Sequence, residues 1–265
     1  MTETFDSAWL GLREGIDHRS RAAELLPDLR AWWTDGERSA VLDLGCGTGS
    51  NLRYLAHKIP GRQTWTLVDH DAALLARVEA PRDDVLVKPV QGDLAGVGLA
   101  EVGRTHLVTA SALLDLVSES WLNAMVDACV SARCGALFSL TYDGTIEWAE
   151  GDPLDATVRD AVNDHQRRDK GLGAALGPTA GRTAEEMFRR RGYCTWLSPS
   201  AWRLGPKEVA LAQALVEGWA TAAAEECPAQ ADDVTLWMER RRATVTRSDL
   251  DLLVGHQDLL ALPIE

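Results

Sequence analysis

No two of the five cysteines in this chain form a CxxC pair; they stand at positions 46, 129, 134, 194 and 227. None has metal-ligand spacing with the six histidines, and no HExxH occurs, so neither a metal site nor a disulfide framework is expected and the thiols read as reduced, mostly buried side chains. No apolar run approaches the roughly 20 residues that a membrane span requires. The opening MTETFDSAWL lacks the basic, apolar and small-residue regions of a secretory signal, which makes the cytoplasm the expected compartment. Positive charge is also in deficit, with 27 Lys and Arg against 40 Asp and Glu and a net charge of −13. Neutralising a phosphate backbone takes clustered cations, so nucleic acid is a disfavoured partner. Phenylalanine and tyrosine number three each against ten tryptophans. What remains, 265 residues of which 46% are hydrophobic and 25% charged, suffices for one domain with a substantial core.

Residues 6 to 33 place Trp9, Leu10, Leu12, Ile16, Ala22, Leu25, Leu26, Leu29, Trp32 and Trp33 at helical spacing, predicting one or two helices broken near Pro27 as an N-terminal helical lid. From Ala40 short apolar runs alternate with helical stretches: AVLDLG before a helix from about Asn51, then TWTLVD before a helix from about Asp71. Further strands are expected at Val85 to Val90, His106 to Ala110, Ala136 to Thr141 and Tyr193 to Leu197. Helices are expected at Trp121 to Arg133, Thr183 to Arg191, Lys207 to Glu226 and around Asp233 to Arg242. This rhythm predicts an α/β fold of the Rossmann-like, doubly wound kind, with a mainly parallel sheet of about seven strands and helices on both faces. Residues 143 to 182 are too long and polar for an ordinary connection and read as an inserted cap over the substrate. The final LLVGHQDLLAL fits an edge strand or a helix. The expected organisation is a single domain, 1–265, comprising a lid (1–38), a cofactor-binding half (39–142), the cap (143–182) and a C-terminal half (183–265).

Val41 to Asn51 reads VLDLGCGTGSN, a strand followed by glycines at 45, 47 and 49 and the start of a helix. Glycine lets the backbone turn sharply there and lets a ligand lie against it without an intervening Cβ. Such a turn is shared with dinucleotide-binding proteins, but their GxGxxG fingerprint wants glycine where this chain has Ser50. Asp43, two residues before the first glycine, adds little for a pyrophosphate and much for a cofactor with a cationic amino-acid end.

DLGCGTG resembles motif I of the class I, Rossmann-like, S-adenosylmethionine-dependent methyltransferases. The resemblance implies S-adenosyl-L-methionine as cofactor, held by Asp43, Gly45, Cys46, Gly47, Gly49 and Asn51. Asp69, 20 residues after Gly49 in LVDHD, is placed where an acidic side chain accepts from both ribose hydroxyls, while Asp71 reads as the cap of the next helix. Gly92-Asp93-Leu94 is similar to the family's third motif, with Asp93 on the adenine amino group, Leu94 on the ring and His70 near the other adenine face. Ser111 and Ala112 fall where the family sets backbone against the methionine part. Asp115 falls where related enzymes present a group to the substrate, and equally reads as a capping or solvated residue.

Methyl transfer from a sulfonium is an in-line displacement in which alignment can supply most of the acceleration, and a base is needed only for a nucleophile protonated at neutral pH. Candidate catalytic residues are Asp115, Tyr142 after the fifth strand, and His165 in NDHQRRDKGLG. Between Thr157 and Gly192 eight Lys or Arg stand against five Asp or Glu, a basic island in an acidic chain. Arg167, Arg168 and Lys170, with Arg13 from the lid, are candidate contacts to a carboxylate or phosphate on the acceptor; a solvated helix face is the plainer reading of the same charges. Arg13, Asp17 and Arg21 share a helix face, which surface ion pairing also explains. Trp9, Trp121 and Trp148 are candidates for an apolar acceptor wall or for core. The expected partner is a small anionic acceptor, with tRNA or protein, an NAD-linked oxidoreductase and an inactive cofactor-binding partner protein as the competing readings.

Overall fold

The computed structural model describes residues 7–35 and 37–264. The reading of the first six residues therefore lies outside the described residues. The strands are β1 (Ala40–Leu44), β2 (Gln63–Asp69), β3 (Val85–Gln91), β4 (Leu107–Ser111), β5 (Gly135–Trp148), β6 (Tyr193–Pro199), β7 (Trp202–Leu204) and β8 (Leu252–Pro263). The helices are α1 (Ser7–Ser20), α2 (Leu26–Asp35), α3 (Ser50–Leu55), α4 (Ala72–Leu75), α5 (Leu99–Glu101), α6 (Glu119–Ala132), α7 (Asp155–Gln166), α8 (Ala180–Arg190), α9 (Val209–Glu226) and α10 (Ala231–Val245).

The sheet runs β3-β2-β1-β4-β5-β8-β6, with β7 paired to β8. The first five strands are parallel, and β8 is antiparallel to β5, β6 and β7. The fold is Rossmann-like and its sheet mainly parallel, with eight strands where about seven are expected. Strand β1 shows why the order holds: Val41, Leu42, Asp43 and Leu44 are all 1% exposed or less, as a central parallel strand covered on both faces requires. Since β2 and β3 extend to one side of β1 while β4 and β5 extend to the other, the chain reverses its winding between β1 and β4. A crevice opens at the carboxyl ends of the strands where that reversal occurs.

Three groups of buried side chains cover the sheet. One packs α2 and α3 on it through Leu29, Trp33, Leu52, Trp65 and Leu260; a second packs α6 and α8 through Leu122, Met125, Phe138 and Phe188; the third joins α7, α9 and α10 to the far ends of β5 and β8. Leu29 and Trp33, four residues apart on α2, each contribute roughly 1.5–3 kcal/mol by leaving water.

Several boundaries differ from the sequence expectation. The lid breaks at Arg21 and Ala22, ahead of Pro27, because proline is tolerated in the first turn of α2. The long segment 143–182 contains the outer end of β5, all of α7 and the start of α8. The final apolar stretch is a strand, but an interior one, bonded to β5 on one side and to β6 and β7 on the other. Burial on both faces removes the alternation that would have marked it. Its Gly255 faces a register shift in β5 between Tyr142 and Ile146, where a Cβ would fall 2.1 Å from Asp143 Oδ1 and 2.6 Å from Thr145 Cβ. Gly255→Ala is accordingly expected to lower the unfolding free energy by about 1–3 kcal/mol, read as a reduced urea midpoint with unchanged slope.

Candidate active site

The crevice holds a cavity of about 260 Å³. Its floor is the turn between β1 and α3, where Gly45, Gly47 and Gly49 all adopt positive φ, at 62°, 54° and 81°. Only glycine takes these conformations without strain. The turn is stitched to the end of β2, since Gly45 N and Cys46 N donate to Val68 O (2.9 and 3.2 Å) and Gly47 N donates to Asp69 Oδ2 (2.8 Å). Asp71 caps α4, accepting from Ala73 N and Leu74 N, as its position implied.

Asp43, Gly45, Cys46, Gly47, Asn51, Asp69, His70, Asp93, Leu94 and Ser111 all border the cavity. Gly49 sits beneath it as the N-cap of α3, where a Cβ would meet Val78 at 3.1 Å. Asp69 Oδ1 also accepts from Asp71 N, yet a carboxylate has about four lone-pair sites, so both oxygens can still receive hydroxyls. Asp93 accepts from Gly96 N and thereby also starts the turn Leu94–Gly98. Ala112, with φ 52° and its N–H donated to Ser139 O at 2.8 Å, is a non-glycine residue held in the left-handed region on the cavity wall. Such strain persists only where surroundings fix it, here the backbone bond to β5.

Asp43 is fully buried; its Oδ1 accepts from Asn51 Nδ2 at 2.8 Å, and its Oδ2 has no hydrogen-bond partner among the described residues. Burial lifts its carboxyl to about 7, against the pull of the Asn51 hydrogen bond and the Arg21 charge. An orphaned buried carboxylate oxygen beside a glycine cradle suits a ligand that brings a cationic donor. Burial, with Asp43 and Asp69 nearby, raises the Cys46 thiol well above its usual range, so this residue is a neutral lining group and not a nucleophile.

The lid supplies Leu10, Arg13 and Asp17 to the opposite wall, and the loop after α7 supplies Lys170, Gly171 and Leu172. Arg13 Nε donates to Asp17 Oδ2 at 2.8 Å, and its guanidinium lies 5.1 Å from the Trp202 ring centre. The lid is clamped on the glycine turn by Arg53, which donates to both oxygens of Glu14 at 2.7 Å, and by His18 against Ser50. Leu10, Asp17, Leu113, Leu116, Val117 and Leu172 are lining residues that the sequence reading did not assign to the site. Only the helical spacing of Leu10 and Asp17 with Arg13 signalled them.

Other candidates fall elsewhere. Tyr142 is buried beside α7 and donates its hydroxyl to Asn163 Oδ1 at 2.9 Å; burial, with Asp143 and Asp115 close by, raises the phenol, so it stays protonated and serves packing. Asp115 is buried in the turn Leu114–Leu116, and Leu116 with Leu113 just before the turn borders the cavity in its place. His165 pairs with Glu225 Oε2 at 3.3 Å, and Arg168 with the same oxygen at 2.8 Å. Arg167 pairs with Asp164 at 2.8 Å. These three compensate acidic side chains on α7 and α9 and do not border the cavity, which leaves Lys170 alone of the island at the site. Trp121 is packed in a core group and Trp9 and Trp148 lie against another, and none of the three borders the cavity.

Residues 41–132, which carry the glycine turn and the strands on either side of the winding reversal, match a family model described as a methyltransferase domain. That match spans about a third of the chain and makes this segment similar to a methyltransferase domain. No curated protein matches it. Among solved structures, it is similar to a methyltransferase from Geobacter sulfurreducens in complex with S-adenosyl-L-homocysteine, at 16% identity over 100% of both chains with a TM-score of 0.43. It is also similar to one from Thiobacillus denitrificans with the same ligand, at 16% identity over 97% of this chain and 99% of that one, TM-score 0.42. A phosphoethanolamine N-methyltransferase 2 from Haemonchus contortus aligns at 12% identity over 98% of this chain and 59% of that one, TM-score 0.42. Among the described residues no helix is long and apolar enough to cross a membrane, and no group of three or more His, Cys, Asp or Glu is arranged to hold a metal ion.

The raised carboxyl of Asp43 has a consequence for stability. The folded state binds this proton more tightly than the unfolded chain, so the stability it contributes is complete below about pH 4, the unfolded value, and is lost as pH rises through about 7. In the protein without ligand, Asp43→Asn is expected to melt above the wild type at pH 8, with a gap that shrinks toward pH 4 in a calorimetric pH series.

Proposed function

We propose that this protein is an S-adenosylmethionine-dependent methyltransferase that transfers the methyl group to a small, anionic metabolite by in-line displacement. The observation that carries the reading is the buried Asp43 oxygen without a partner, set beside the glycine turn on the cavity wall. The cofactor, when bound, supplies a methyl group already activated by the sulfonium charge. Asp43 would hold the cationic amino-acid end, Asp69 the ribose hydroxyls, and Asp93 with Leu94 the adenine, while the backbone at Ser111 and Ala112 aligns the reacting end.

The acceptor side favours a small molecule. Helix α1 and residues 170–172 wall the cavity, and the net charge of −13 opposes a nucleic-acid acceptor. The basic island that spoke for a macromolecule is largely compensated by Asp164, Glu225 and Glu226. Arg13 and Lys170 would meet an anionic group. Away from the adenine end, the described lining residues include no tyrosine and no histidine, and the Asp17 carboxylate there is paired with Arg13, which suits a nucleophile that needs no general base, such as an ionised carboxylate.

Calorimetric titration is expected to show binding of S-adenosylmethionine and S-adenosylhomocysteine and none of NAD or NADP; binding of NAD alone, or of nothing, would overturn the reading. Asp69→Ala should weaken S-adenosylhomocysteine binding by about tenfold or more, through loss of charge-assisted contacts. In a turnover screen of small carboxylates and phosphates, Arg13→Ala should raise acceptor KM while leaving the cofactor Kd unchanged. An unaltered KM for an accepted substrate would remove Arg13 from recognition.

A further inference from the structure

Asp43 is the inner end of a buried polar chain that leads away from the cavity. Asn51 Nδ2 donates to Asp43 Oδ1 (2.8 Å) and to Thr109 Oγ1 (2.9 Å), and Asn51 Oδ1 accepts from Arg21 Nη1 (2.9 Å). Arg21 Nε donates to Asp258 Oδ2 (3.1 Å), which also accepts from Ala22 N (3.1 Å), while Asp258 Oδ1 accepts from Leu140 N (2.7 Å). None of Asp43, Asn51, Thr109, Arg21 and Asp258 is more than 8% exposed. Arg21 lies at the joint between α1 and α2, with its guanidinium 4.6 Å from the Tyr54 ring centre, and Asp258 lies on β8.

Two features separate this chain from ordinary stabilisation. A buried ion pair seldom adds net stability over well-packed apolar residues, so its retention calls for another role. Its chemistry also dictates an orientation. A guanidinium only donates, so Asn51 must turn its carbonyl oxygen to Arg21 and its amide NH2 to Asp43 and Thr109. Without Arg21 the Asn51 amide is free to flip, presenting an acceptor to the Asp43 carboxylate.

We propose that Arg21 and Asp258 are positioning residues for cofactor binding: by locking the Asn51 amide they hold Asp43 on the cavity wall with its second oxygen unpaired, and they make that arrangement depend on the seating of the N-terminal helices. The proposal rests on the reading of Asp43 as the cofactor's anchor. The charged and titratable groups bearing on Asp43 are Arg21 from the lid joint, Asp69 from β2 and Cys46 from the glycine turn.

The test is calorimetric titration with S-adenosylhomocysteine between pH 6 and 8.5 on the full chain. Wild type is expected to lose affinity as pH falls and Asp43 takes up its proton. In Arg21→Met combined with Asp258→Asn, which removes both charges of that ion pair, affinity at pH 7 should fall about tenfold and the pH of decline should move up by about one unit. Arg21→Lys, which keeps the charge and loses the fork, should weaken binding without moving that pH. Should the double variant fail to fold, Arg21→Lys carries the test alone. Affinity and pH profile equal to wild type in a cooperatively melting variant would overturn the positioning role. Failure of the wild type itself to bind would instead overturn the proposed function.

Discussion

Two carboxylates and one guanidinium are buried in a row beneath the lid, and the middle charge cannot satisfy both neighbours. Arg21 is paired directly with Asp258 and reaches Asp43 only through Asn51. Once Asp43 is ionised, the row therefore carries an unbalanced negative charge at its cavity end, in surroundings where an uncompensated charge is costly. Much else follows from that constraint: the glycine turn brings a ligand close, the lid closes over it, and the bulged strand β5 offers the Leu140 N–H to the far carboxylate. Leu140 takes a φ of 54° in doing so, which a non-glycine residue accepts only under local compulsion.

The fold was legible where local chemistry decides structure. The change from helical to alternating apolar pattern at Ala40, the glycine turn and the Asp71 cap depend on neighbours within a few residues, and all appear as read. Strand β8 was ambiguous because an interior strand has no solvent face to print an alternation on. The outer end of β5 was hidden because Asp143 and Gly144 open the polar segment read as an inserted cap, and they instead lie in the register shift opposite Gly255.

The site divided along the same line. Residues on the turns after β1, β2, β3 and β4 reach the cavity because strand ends and the winding reversal put them there. The basic residues at 165, 167 and 168 misled because a charge in sequence carries no mark of its partner. Glu225, some 60 positions later on α9, is what neutralises His165 and Arg168. Arg13 and Asp17 reach the cavity through the packing of α1, which local spacing suggests and cannot fix.

The interior place of β8 also sets an order of events. It is the last strand in the chain, yet it fills the gap between β5 and β6, whose edges stay open until residues beyond 250 are available. A polypeptide emerging from the ribosome can wind β1 to β5 early, but unpaired edges invite association with other chains in the meantime. Asp258 travels on that late strand. Arg21 thus spends the interval without its buried counterion, and the row of polar groups that ends at the glycine turn is complete only when the sheet is zipped shut, so completion of the cavity wall and completion of the fold become a single event.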